Sequence, residues 1–213
     1  GTIEKIKKAA NIIKKRFSEG NEIIVVVSAM SGVTDELKAK SDLISKNFDN
    51  KELDVLLSSG EQASCSLLSG ALIELGVKAR SWLGWQIPIV TNDNYTSSQI
   101  MKIKTDEISN FISKKSVAVI AGFQGISKES RITTLGRGGS DLSAVAIAKF
   151  FKADSCEIYT DVEGVLTTDP SINEKAKKID KISYEEMLEM ASLGAKVMQP
   201  NAVQTSMIDN IPI

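Results

Sequence analysis

The 213-residue sequence contains no histidine. That absence excludes Ser-His-Asp and Cys-His catalysis, histidine-based zinc sites and any imidazole proton shuttle. It has two cysteines, Cys65 and Cys156, far apart and each among apolar residues. They read as buried reduced thiols rather than a disulfide. No apolar run approaches the roughly 20 residues of a membrane span, and no signal-peptide pattern opens the sequence, so a membrane partner is not expected. Charge of one sign is lacking too. A formal net charge of −1 gives no global reason to expect nucleic acid or an anionic surface as partner. The P-loop pattern, the G-x-G-x-x-G fingerprint and the protein-kinase H-R-D and D-F-G motifs are all missing. Chemistry must then come from carboxylates, lysine, arginine, hydroxyls, backbone amides or a hard cation. Group transfer from a nucleotide suits that inventory.

What is present alternates in period. Ile3, Ile6, Ala10, Ile13 and Phe17 form one helical stripe over residues 3–17, with lysines filling the other face. Gly20-Asn21 ends that helix, and residues 23–28 read as a strand buried on both faces. The spacing predicts helices over 33–46, 61–75, 105–113, 142–151 and 183–192, and strands over 78–83, 117–121 and 156–160. Ser183 is the expected N-cap of the last helix, with Glu186 at the capping-box position. Apolar strands alternating with amphipathic helices predict an α/β fold, a three-layer αβα sandwich around a mainly parallel sheet. With no repeat, linker or low-complexity segment, one domain over 1–213 is expected.

In such sheets ligands bind beyond the carboxyl ends of the strands. The unusual polar stretches fall there: Ser28 to Thr34, Gly122 to Gly125 and Asp161 to Gly164. The densest stretch is Leu135-Gly136-Arg137-Gly138-Gly139-Ser140-Asp141. Its glycines permit close backbone approach, Ser140 is placed to cap the following helix, and the free N–H groups there favour an anion. Arg137 adds a planar donor for a carboxylate, and Asp141 can accept from an ammonium. Ser58-Ser59-Gly60-Glu61 puts another carboxylate at an expected helix start, and Lys196 follows Gly194-Ala195. The residues alone reach an α/β enzyme or binding domain for a small charged ligand, with or without a phosphate.

Taken in order, the segments 25–37, 56–64, 121–127, 133–148, 158–170 and 185–200 resemble the catalytic domain of the aspartokinases, within the amino acid kinase family. The resemblance implies transfer of the ATP γ-phosphoryl group to the side-chain carboxylate of L-aspartate, at the entry to lysine, threonine and methionine synthesis in the cytoplasm. It implies that Thr34 and Glu61 contact substrate, that Arg137 binds its α-carboxylate, and that Ser140 and Asp141 line the same pocket. Asp141 would also organise the lysine that stabilises transfer. Thr160 and Asp161 would bind nucleotide, with Lys196 near the ATP phosphates and Mg2+ carried on the nucleotide. A homodimer is also implied. Family members have an N-terminal Lys-Phe-Gly-Gly-Thr-Ser loop before the position of Gly1, and regulatory ACT domains after that of Ile213. The 213 residues by themselves are therefore expected to have little kinase activity. Leu166, Ser171 and Gln199 stand where the family often has Tyr, Arg and His. Relatives that phosphorylate glutamate, acetylglutamate, carbamate or a nucleoside monophosphate, and a non-catalytic binding module, are the alternatives.

Overall fold

A computed structural model describes residues 1–213 except Asp161, Glu163, Pro170 and Lys196. The chain divides into two compact units, Gly1–Ala144 and Val145–Ile213. In the first, α1 (Ile3–Ser18) opens with Thr2, whose hydroxyl accepts the Lys5 N–H. Then come β1 (Ile24–Val27), α2 (Val33–Ile44), α3 (Asn50–Glu74) and β2 (Ala79–Trp82). They are followed by β3 (Ile89–Thr91), β4 (Ile100–Ile103), α4 (Asp106–Ile112), β5 (Val117–Ala121), β6 (Gln124–Ile126) and β7 (Ile132–Thr134). Helix α5 (Gly139–Phe151) begins in the first unit and ends in the second.

One sheet has the order β1-β5-β2, all parallel. All five residues of the central strand β5 are buried, as a continuous apolar run in a covered parallel sheet should be. Val117, Val119 and Ala121 face a core made with Ala10, Cys65, Leu68 and Leu72 of α1 and α3. Each such large side chain removed from water stabilises the fold by about 1.5–3 kcal/mol. On the opposite face Trp82, beside Ile120 in register, meets Phe111 of α4 edge-on with centroids 5.7 Å apart. Helices thus cover both faces, giving the expected αβα layering. Strand β1 departs from expectation: it is half-buried throughout, because among the described residues it pairs only with β5, at the edge of that sheet.

The second sheet, β4-β3-β6-β7, was not anticipated. Its β3–β6 pairing is parallel, while β3–β4 and β6–β7 are antiparallel. Three of the five strand pairings among the described residues are therefore parallel. The strands of this sheet are three or four residues long, too short for a period to show. The cysteines behave as expected: Cys65 and Cys156 are both buried and no disulfide joins them. The Cys65 Sγ lies 3.1 Å from the Val119 carbonyl, and burial pushes its thiol up to about 11.

In the second unit, α6 (Tyr184–Ser192) starts at the capping box expected from Ser183 and Glu186. It packs against α7 (Pro200–Asp209), with Met187, Ala191, Ala202 and Val203 buried. The Tyr184 hydroxyl donates to the Ile211 carbonyl at 2.6 Å. The strand expected over 156–160 does not form. No neighbouring strand takes up its backbone among the described residues, and the Cys156 N–H goes instead to the Pro212 carbonyl at 2.8 Å. Among the described residues no helix is long and apolar enough to cross a membrane.

Candidate active site

The carboxyl ends of β1 and β5 meet at Val27 and Gly122, where the Gly122 N–H donates to the Val27 carbonyl at 3.0 Å. A side chain at Gly122 would lie 3.0 Å from that carbonyl oxygen and 3.2 Å from Ser140 Cα. The missing side chain is thus what lets the start of α5 press against the sheet edge. Gly122→Ala is expected to cost about 1–3 kcal/mol of stability, the usual range for overpacking. Thermal unfolding checks it, and an unchanged Tm would mean that this contact can yield.

The next residue, Phe123, has φ 66°, a costly conformation for a side chain of its size. Ser143 secures the turn. Its hydroxyl accepts the Phe123 N–H at 2.9 Å and donates to the Gly139 carbonyl at 2.7 Å. The Leu135 N–H donates to the Phe123 carbonyl at 2.9 Å. Three chain segments are therefore bound at one place: the β5 exit, the β7 exit and the first turn of α5.

Ser140 is not the N-cap anticipated for this helix. The helix starts at Gly139, so Ser140 is already inside its first turn. Gly136 (φ 77°) and Gly138 (φ 69°) both take left-handed backbone, which lets the chain coil into the helix earlier than a serine cap would. Arg137, between them, is exposed and has no hydrogen-bond or ion-pair partner among the described residues. Asp141 is half-buried, and burial raises its carboxyl above the ordinary aspartate range.

Glu61 also stands differently from expectation. It lies in the middle of α3, not at a helix start, because the helix begins at the Asp49 N-cap, whose carboxylate accepts from Lys51 and Glu52 N–H. Gly60 brings this part of α3 against the loop after β1: a side chain there would meet Ala29 Cβ at 2.9 Å and Val33 at 3.3 Å. Glu61 Oε1 accepts the Ala29 N–H at 3.0 Å, while Oε2 is buried with no partner. The side chain is only 4% exposed. Burial pushes its carboxyl up to about 7, against the lowering by the Ala29 N–H. A buried carboxylate oxygen without a donor is costly, and holding the proton to higher pH relieves that cost. Thr34 is half-buried in the first turn of α2, directly after Val33.

Glu61, Ala29, Val27, Gly122 and Ser140 thus form a continuous line along one sheet edge, with Thr34, Arg137 and Asp141 on the elements that meet it. The second unit holds Thr160, which is exposed in an irregular segment. Asp161 and Lys196 lie outside the described residues. The Ala29 amide, Ser143 and the wholly buried Asp54 were not anticipated from sequence. Among the described residues no group of three or more Cys, Asp or Glu side chains could hold a metal ion.

The aspartate kinase Ask_LysC of Stutzerimonas stutzeri is 48% identical to the chain over 213 residues, which are all of this chain and 52% of that protein. The chain therefore spans about half the length of the curated relatives it matches. Among solved structures, an aspartate kinase from Synechocystis superposes with TM-score 0.88 at 45% identity, over 99% of this chain and 34% of that one. Aspartokinase III of E. coli, in complex with aspartate and ADP, superposes with TM-score 0.84 at 26% identity, over 98% of this chain and 57% of that one. The amino acid kinase family model matches residues 2–213. With that match across nearly its whole length, on an αβα scaffold with polar groups gathered at the sheet's carboxyl edge, the chain belongs to the amino acid kinase family.

Proposed function

We propose that the chain is the catalytic core of an aspartokinase, moving the γ-phosphoryl group of ATP onto the side-chain carboxylate of L-aspartate to give 4-phospho-L-aspartate. The observation that carries this reading is the buried, half-satisfied Glu61 on the same sheet edge as the arginine-bearing turn before α5. An α-amino acid needs a carboxylate for its ammonium and an arginine for its carboxylate. The ligands of the E. coli relative, aspartate and ADP, match that pair of demands.

In this reading Arg137 holds the α-carboxylate, Glu61 and Asp141 hold the ammonium, and Thr34 and Ser140 orient the rest of the substrate. Thr160 and Asp161 bind the nucleotide, and Lys196 offsets phosphate charge. The acceptor carboxylate is itself the nucleophile and is ionised at neutral pH, so no general base is needed. A chain without histidine loses nothing by that. Catalysis is then positioning plus charge stabilisation. Magnesium would ride on the nucleotide phosphates. A single kinase domain over 1–213 belongs to the same proposal and is supported by the family match. So do a cytoplasmic location and a place at the head of lysine, threonine and methionine synthesis.

The test uses the natural full-length protein with Mg-ATP and a panel of acceptors: aspartate, glutamate, acetylglutamate, carbamate and uridine monophosphate. Acyl phosphate is trapped with hydroxylamine, and ADP is followed for every acceptor. Turnover with aspartate alone is expected. Turnover with another acceptor and none with aspartate would sink the assignment.

A further inference from the structure

Asp54 has no place in the reading above, yet it is completely buried in α3. Its carboxylate accepts three hydrogen-bond donors from two segments that are remote from it in sequence, the end of β7 and the loop around Thr96. Oδ2 takes the Thr134 N–H at 2.9 Å, and Oδ1 takes the Thr134 hydroxyl at 2.6 Å. Both oxygens share the Thr96 N–H, at 3.1 and 3.0 Å. Burial raises its carboxyl above the ordinary aspartate range, and these three donors work against that rise.

What these donors hold is the approach to Arg137. Thr134 ends β7, and only Leu135 and Gly136 separate it from the arginine. Thr96 is a β-branched residue at φ 68°, a conformation that survives only where its surroundings impose it. Its carbonyl backs the arginine turn: a side chain on Gly136 would lie 3.1 Å from Thr96 O. The Ser98 N–H closes the circuit by donating to the Thr134 carbonyl at 2.8 Å. Arg137 itself has no described partner to fix it, so the direction of its stem is set by the backbone it leaves from.

We propose that Asp54 is a positioning residue for substrate binding, a buried clasp from α3 that fixes the Thr134–Gly138 turn and so aims Arg137. The proposal rests on the reading of Arg137 as the group that meets the substrate carboxylate. An aspartate can do this work where an asparagine cannot. All three bonds need an acceptor, and an amide offers an acceptor on one side only.

The test compares Asp54→Asn with the milder pair Thr134→Val and Thr134→Ser in the full-length protein, with and without Arg137→Ala. Thr134→Val removes one bond to the clasp with little change of shape, and Thr134→Ser restores the donor. Asp54→Asn and Thr134→Val are expected to raise the aspartate KM roughly tenfold, the size of coupling seen for residues in one network. The KM for ATP and kcat should change by less than about twofold, with Thr134→Ser near wild type. In the Arg137→Ala background the same changes should leave the aspartate KM unaltered. A fall in kcat or Tm with aspartate KM unchanged, or effects that add to those of Arg137→Ala, would overturn the proposal. Amide hydrogen exchange gives a readout independent of the reaction. Faster exchange over 134–138 in Asp54→Asn, with 117–121 unchanged, supports the clasp even if aspartate proves not to be the substrate. Unchanged exchange over 134–138 refutes it whatever the substrate is.

Discussion

Arg137→Ala in the full-length protein is expected to raise the KM for aspartate about 100-fold and to leave thermal stability where it was. The size follows from the contact proposed. A hydrogen bond to a charged group contributes about 1.5–3 kcal/mol, and a guanidinium meets a carboxylate through two parallel bonds. Losing about 3 kcal/mol of binding corresponds to roughly a hundredfold or slightly more. The stability half of the expectation comes from the structure. Arg137 is exposed and makes no described hydrogen bond or ion pair, and changes at such positions stay within about 0.5 kcal/mol. Initial rates over a wide aspartate range, with thermal unfolding of the same samples, check both halves. Arg137→Lys should recover only part of the loss, since an ammonium keeps the charge but not the fork. An aspartate KM equal to wild type, or a loss that simply tracks a lower Tm, would remove Arg137 from the site.

How much of this was legible in the sequence depended on burial and length. Strand β5 could be read because a central strand covered on both faces is apolar at every position. Strand β1 carries the same kind of run but has one strand neighbour among the described residues, and a sequence of valines does not state how many strands flank it. The second sheet escaped because its strands are three or four residues long and hold Gly125, Thr91 and Thr133 among their few apolar positions. Thr91 and Thr133 hydroxyls meet at 2.6 Å inside that sheet, a fit visible only once the strands are paired. The start of α3 had a signal, since Asp49 is followed by Glu52 and then Leu53, the pattern of a helix entry. Reading the helix from Glu61 instead made an ordinary first-turn acid out of a buried one.

The candidate site was legible as residue types and not as environments. Arg137, Ser140, Asp141 and Glu61 could be picked out because glycines and charges seldom gather without a reason. Nothing in sequence spacing distinguishes Glu61, buried with one oxygen unmatched, from Glu52, which sits in an exposed ion pair with Arg131. Asp54 was invisible for the same reason. A carboxylate on an amphipathic helix reads as solvent-facing until the three donors it serves, none within 40 positions of it, are folded onto it.

Glu61→Gln is expected to stabilise the ligand-free protein above neutral pH while crippling its use of aspartate. In the unfolded chain Glu61 loses its proton near 4.5, whereas burial holds the folded-state value up to about 7. Below pH 4.5 the side chain is protonated in both states and costs nothing. Between 4.5 and 7 only the folded state keeps the proton, so stability falls as pH rises, by about 1.4 kcal/mol per pH unit. The loss is complete above pH 7, where it reaches about 3 kcal/mol. Glutamine has no proton to lose and still presents an oxygen to the Ala29 N–H. The variant should match wild type near pH 4.5 and exceed it at pH 8 by a Tm difference of roughly 6–12 °C for a unit of this size. Adding aspartate should reverse the order at pH 8. Its ammonium would give Oε2 the partner it lacks, so wild type gains stability that the variant does not. A difference in Tm that stays constant from pH 5 to pH 8 would mean that Glu61 ionises as an ordinary carboxylate. On the proposed reading, the fold holds this carboxylate at a cost that protonation removes at low pH and that the ammonium of the substrate would remove at neutral pH.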